Sequence, residues 1–129
     1  MNRWADWWKQ GMRDLRHAEN ALHDGDYEWA AFAAQQAAEK VLKALVMSLG
    51  GEPWGHSTTG LAEAVPEAVK VPSTIMEAAN RLDKHYIPAR YPNGFAEGYP
   101  GKLYTRAEAE GAIHDAGRIL EFIRSYLPG

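Results

Sequence analysis

Arg81, Lys84 and His85 fall within five residues of one another, and Arg90 follows with Tyr86 before it and Tyr91 directly after it. Cationic side chains bind phosphate, arginine through a planar fork of donors and lysine as a point charge. A tyrosine ring beside such a cation offers a face on which a nucleobase can stack. These six residues together suit a nucleotide. Arg90 would hold the phosphate, Tyr91 and Tyr86 the base, and Arg81, Lys84 and His85 would add positive charge. Pro88 and Pro92 flank Arg90 and restrict the backbone on both sides of it. The same residues also have a structural reading. Lys84 and His85 suit a helix C-terminus, whose dipole favours cations, and Arg81 has Glu77 and Asp83 nearby as ion-pair partners.

Other chemistries find less support. The chain has no cysteine, which excludes disulfides, thiolate metal sites and a cysteine nucleophile. Among its five histidines, no pair with a carboxylate shows the spacing of a zinc site. Asp14 and His17, three apart, read as side chains that face solvent. His56 in Gly55-His56-Ser57 reads as a cap or contact for the helix that follows, and His17, His23 and His114 read as solvated. There is no phosphate-binding glycine loop. No metal and no cofactor are expected. The net charge of -3 argues against a broad nucleic-acid footprint but leaves room for a local basic patch.

The elements that must position these residues are helices. Trp4, Trp8, Met12, Leu15, Ala18 and Leu22 recur every three or four residues, so the spacing predicts a helix from about Asn2 to His23. Gly25 is suited to end it and Asp26 to cap the next. That second helix, Tyr27 to about Leu49, carries Trp29, Phe32, Val41, Leu42, Leu45 and Val46 on more than one side, as expected of a helix buried among several neighbours. Its alanines allow close backbone approach. Gln35, Gln36, Glu39, Lys40 and Lys43 read as its solvent side or a dimer seam, with Glu39 and Lys43 as a surface bridge.

Ser57 or Thr58 opens a short helix towards Val69, which Pro66 must shorten, kink or split. A fourth helix is expected from Ser73 to about Ile87, with Thr74 and Glu77 as a capping box. Pro88 to Tyr104 is a long loop rich in proline, glycine and tyrosine, a length that points to function. Thr105 and Glu108 form a second capping box, and the apolar spacing from Ala109 to Leu127 predicts the last helix. No alternating β pattern and no internal repeat appear. Short links favour antiparallel neighbours, so the expected fold is all-α: an up-and-down four-helix bundle with one short extra helix.

With 129 residues, 46% apolar and 24% charged, the chain suits a single domain over 1–129. Charges within the first six residues argue against a signal peptide, and the polar residues between Trp29 and Leu49 argue against a membrane span. A cytoplasmic location is expected. Three of the five tryptophans lie in the first eight residues. Trp4 and Trp8 sit on the inner stripe and read as core. Trp7 lies off it and reads as an interface residue, in a dimer contact before a ligand stack.

Four segments in this order carry a family resemblance. They are Phe32-Ala-Ala-Gln-Gln-Ala-Ala-Glu-Lys-Val-Leu-Lys-Ala-Leu45, Gly55-His-Ser57, Leu82-Asp-Lys-His-Tyr-Ile-Pro-Ala-Arg-Tyr-Pro92 and Tyr104-Thr-Arg-Ala-Glu-Ala109. Together they resemble the HEPN domain (higher eukaryotes and prokaryotes nucleotide-binding) over about residues 4 to 127. The resemblance implies a four-helix bundle with a short extra helix, commonly a homodimer. It also implies nucleotide binding or regulation, often in a toxin–antitoxin-like pair with a minimal nucleotidyltransferase. Many HEPN domains are metal-independent RNases, and that subset carries an arginine followed, after four to six residues, by a histidine. Neither Arg81 nor Arg90 has such a histidine. The one match, Arg16 with His23, lies on the first helix, away from the usual place of the motif, and this departure counts against RNase activity. A third reading is a pure protein-interaction module, with Pro92 to Tyr104 contacting the partner transferase.

Overall fold

The computed structural model describes residues 2–128, and these form an all-helical bundle. In chain order the helices are α1 (Trp4–Asp24), α2 (Tyr27–Ser48), α3 (Thr58–Glu63), α4 (Ser73–Asp83), α5 (Pro100–Leu103) and α6 (Arg106–Arg124), with a 3-10 turn at Pro92–Gly94. Gly25 ends α1 at φ +84°, a left-handed conformation that side chains with a Cβ resist. The amide of Asp26 then closes on the Ala21 carbonyl at 2.8 Å, so α2 starts after a reversal of two residues.

Helix α2 is the centre of the molecule and packs against α1, α3, α4 and α6. Its buried alanines make this possible: Ala30, Ala31, Ala34, Ala37, Ala38 and Ala44 are wholly inaccessible. The closest approach is at Gly11 of α1, where an added Cβ would stand 2.6 Å from Val41 Cγ1 and 3.1 Å from the Ala37 carbonyl oxygen. Leu42, Leu45, Leu61, Leu82, Ile119 and Ile123 fill the space between the helices. Among the described residues, no helix is long and apolar enough to cross a membrane.

Several expectations need correction. Helix α3 stops at Glu63, before Pro66, which is the shortening expected of that proline, and the chain continues to Val69 in turns. Helix α4 stops at Asp83, so Lys84, His85 and Tyr86 lie in the turns beyond it, four residues earlier than expected. Its N-cap is Pro72, with no side-chain cap, so Thr74 and Glu77 do not form a box. The Thr105–Glu108 box does form, with both reciprocal bonds present. The loop before α6 is built, containing the 3-10 turn and α5.

Burial also differs from the stripe. Trp4 and Trp8 are only half-buried, Met12 and Trp29 are exposed, and Gly11 is buried in their place. On α2, Gln35 and Glu39 are buried rather than on the solvent side, and the Glu39–Lys43 bridge is largely covered. The helices packed around α2 leave it too little free surface for the five polar side chains expected there.

Candidate nucleotide site

The turns after α4 bring Arg90 back over α2. Its Nε donates to the Tyr86 carbonyl at 2.8 Å. Its guanidinium carbon lies 4.5 Å from the ring centre of Phe32, 4.6 Å from that of Tyr86 and 5.1 Å from that of Tyr91. Aromatic faces attract a cation without neutralising it. Among the described residues Arg90 makes no salt bridge. Three rings surround it and its Nε is occupied. The outer amino groups are the donors left for an anion.

A second layer fixes Tyr86. The His56 ring stacks on it at 5.1 Å and 14° between planes. His56 is held in turn by two buried α2 residues. Its Nδ1 lies 3.2 Å from a Glu39 carboxylate oxygen, and its backbone carbonyl accepts from Gln35 Nε2 at 2.9 Å. Glu39 is also paired with Lys43 at 3.3 Å, which offsets the cost of burying its charge. The connector after α2 is thus tied to α2 by polar groups, and it steadies the ring against which Arg90 lies.

The same connector is anchored to α4. The Asp83 carboxylate accepts from the amides of Thr58 and Thr59 at 2.6 and 3.1 Å, from Ser57 Oγ at 2.8 Å and from Thr58 Oγ1 at 2.6 Å. Partial burial alone would push this carboxyl's pKa up, but the hydrogen bonds from Thr58, Thr59 and Ser57 outweigh it and hold the pKa below the ordinary value. Asp83 is the last residue of α4, and the turn carrying Tyr86 and Arg90 leaves from there.

The other three expected residues face α6 instead. Arg81 makes a two-point ion pair with buried Asp115, its Nε and Nη2 donating at 2.9 and 2.8 Å, in place of the expected Glu77 or Asp83. His85 Nδ1 lies 2.8 Å from the Tyr104 hydroxyl. Burial lowers the His85 pKa and raises that of Tyr104 to about 12, so both are uncharged at neutral pH. Arg81, Lys84, His85, Glu108, His114 and Asp115 line an open cleft of about 350 Å³ that carries charges of both signs. The six expected site residues therefore divide. Arg90, Tyr86 and Tyr91 come together, whereas Arg81, Lys84 and His85 serve the α4–α6 face.

His85 gives a pH test. Its lowered folded-state pKa means that only the unfolded chain takes up its proton just below pH 6.5. Its contribution is complete above that pH and is lost as the pH falls through the folded-state value. Thermal denaturation should show the midpoint falling from pH 7.5 to pH 5, and falling less in His85→Gln. Asp83 does not blur this window, because its own loss begins below its ordinary 3.8.

Phe32 reads as core in the sequence, yet it forms one wall of the Arg90 site. Its partner Trp29, three residues earlier on the same helix face, is the pattern that points to it. His56 and Glu39 carry no such signal. Arg16 and His23 are both exposed on α1. Trp7 is half-buried, with the Lys43 ammonium 5.3 Å from its ring centre. Among the described residues, no group of three or more His, Cys, Asp or Glu side chains could hold a metal ion.

Residues 4–126 match a family model described as HEPN domain. The crystal structure of TT1696 from Thermus thermophilus is 50% identical, with a TM-score of 0.96 over 98% of this chain and 100% of that one. The crystal structure of ST0689, an archaeal HEPN homologue, is 41% identical, with a TM-score of 0.83 over 97% of this chain and 98% of that one. A curated relative from Methanocaldococcus jannaschii, named "Putative toxin MJ1304", is 27% identical over 92% of this chain and 84% of its own length.

Proposed function

This chain belongs to the HEPN domain family, and from that we propose that it is a nucleotide-binding regulatory protein acting as a homodimer. Its partner in this reading is a minimal nucleotidyltransferase, within a toxin–antitoxin-like module. One observation carries the ligand: Arg90 is oriented by three aromatic rings and a backbone carbonyl, and among the described residues no carboxylate neutralises it. A cation fixed in this way loses little freedom when it binds a phosphate. Tyr91, 48% exposed, is the ring available to a base. The name of the Methanocaldococcus jannaschii relative, "Putative toxin MJ1304", supports the module. Trp7, with its open side and Lys43 on its face, supplies the dimer contact.

Calorimetry of the purified protein against AMP, GMP, ATP and inorganic phosphate tests the ligand, and sedimentation tests the dimer. Saturable heat with the nucleotides and a two-chain species are expected. No heat at millimolar ligand would remove the nucleotide reading, and a monomer at all concentrations would remove the dimer.

A further inference from the structure

The Phe32 ring that faces Arg90 also lines a second cleft. This cleft lies between α1 and α2, measures about 300 Å³, and is walled by Trp29, Phe32, Gln36 and Lys40 from α2 with Asp14 and His17 from α1. Its two sides differ. Trp29 stands edge-on to Phe32, 6.1 Å between ring centres, and is 50% exposed, so a broad indole surface is open. Opposite it, the polar wall is already ordered. Lys40 Nζ lies 2.6 Å from Asp14 Oδ2 and 3.3 Å from Gln36 Oε1, and Gln10 donates to Asp14 Oδ1 at 2.9 Å. Each Asp14 oxygen has one donor and keeps capacity for another.

We propose that this cleft is the base subsite of the nucleotide whose phosphate binds Arg90. The proposal rests on the reading of Arg90 as a phosphate site. An apolar ring on one side and fixed acceptors on the other match a flat heterocycle with N–H groups on its edge. The two subsites share Phe32 as their common wall: its ring centre lies 4.5 Å from the Arg90 guanidinium carbon and 6.1 Å from the Trp29 ring centre. The Asp14 carboxylate disfavours a phosphate in this cleft, so the base takes it and the phosphate stays at Arg90; the ligand class is a nucleotide, and the larger stacking area favours a purine. Trp29 then takes the stacking role in place of Tyr91, whose ring stays beside the phosphate at Arg90.

The test compares GMP and AMP with ribose 5-phosphate, which keeps the phosphate and sugar but has no base. Wild type should bind the purine nucleotides about tenfold more tightly than ribose 5-phosphate, a typical effect of one stacked base. Trp29→Ala should remove that difference and leave ribose 5-phosphate binding unchanged. Trp29→His, with a smaller ring, should give an intermediate ratio and serves if the alanine variant does not fold. Equal binding of the nucleotides and ribose 5-phosphate by wild type, or an unchanged ratio in both variants, would overturn the base subsite while Arg90 stands. Absence of ribose 5-phosphate and nucleotide binding alike would overturn the Arg90 reading and this proposal with it.

Discussion

Asp83→Ala should destabilise the protein by about 3 kcal/mol, because one carboxylate satisfies the amides of Thr58 and Thr59 and the hydroxyls of Ser57 and Thr58. Hydrogen bonds to an ionised group are the stronger kind. Thr58 is fully buried, so water cannot replace the acceptor lost by its amide without opening the structure, whereas its hydroxyl keeps the Ala79 carbonyl at 2.7 Å. Ser57 and Thr59 are more open and recover part of the loss from solvent, which keeps the effect below the sum of its bonds. A midpoint roughly ten degrees lower should appear in thermal denaturation. Asp83→Asn retains one acceptor oxygen and should recover part of it. A midpoint within about two degrees of wild type for Asp83→Ala, on the order of a surface change, would show that this anchor contributes little. The same change loosens the His56 connector, so nucleotide affinity should fall with stability.

The second large effect is on binding. Arg90→Ala should weaken nucleotide binding on the order of a hundredfold, the scale of a pair of charge-assisted bonds. Arg90→Lys should recover little of it. The guanidinium carbon is held within 4.5, 4.6 and 5.1 Å of the Phe32, Tyr86 and Tyr91 ring centres, and an ammonium there is a point charge with no planar fork to offer. Calorimetry on both variants reads the difference. Equal affinity of Arg90→Lys and wild type would show that charge alone, without planar geometry, makes the site. Circular dichroism should show both variants folded, since three cation–π contacts and one hydrogen bond, each worth about 1 kcal/mol, fall short of a typical folding free energy of roughly 5–15 kcal/mol.

The helices were legible because each depends on neighbours along the chain. The apolar spacing of α1, α2 and α6, the Gly25 reversal and the Thr105 capping box are all set within a few residues. The end of α4 was less so. Lys84, His85 and Tyr86 continue a helical pattern, yet the chain leaves the helix at Asp83, whose side chain is engaged by α3. That difference matters for the site. On a continued helix Arg81 and His85 would share a face, whereas in the turns His85 meets Tyr104 and Arg81 meets Asp115.

Residue types alone determined that this chain is helical, that it lacks thiol chemistry, and that cations and tyrosines gather between Arg81 and Tyr91. Those properties follow from local spacing and side-chain chemistry, which require no knowledge of distant neighbours. Which cation remains available to a ligand was decided only by tertiary structure. Arg81 and Arg90 are the same residue type nine positions apart, but packing places buried Asp115 against the one and three uncharged aromatic rings against the other. A carboxylate neutralises a guanidinium and an aromatic face leaves its charge available. Tyr86 and Tyr91 are local to Arg90, but Asp115 on α6 and Phe32 on α2 come from far along the chain, so only the packed bundle could separate the structural arginine from the candidate binding one.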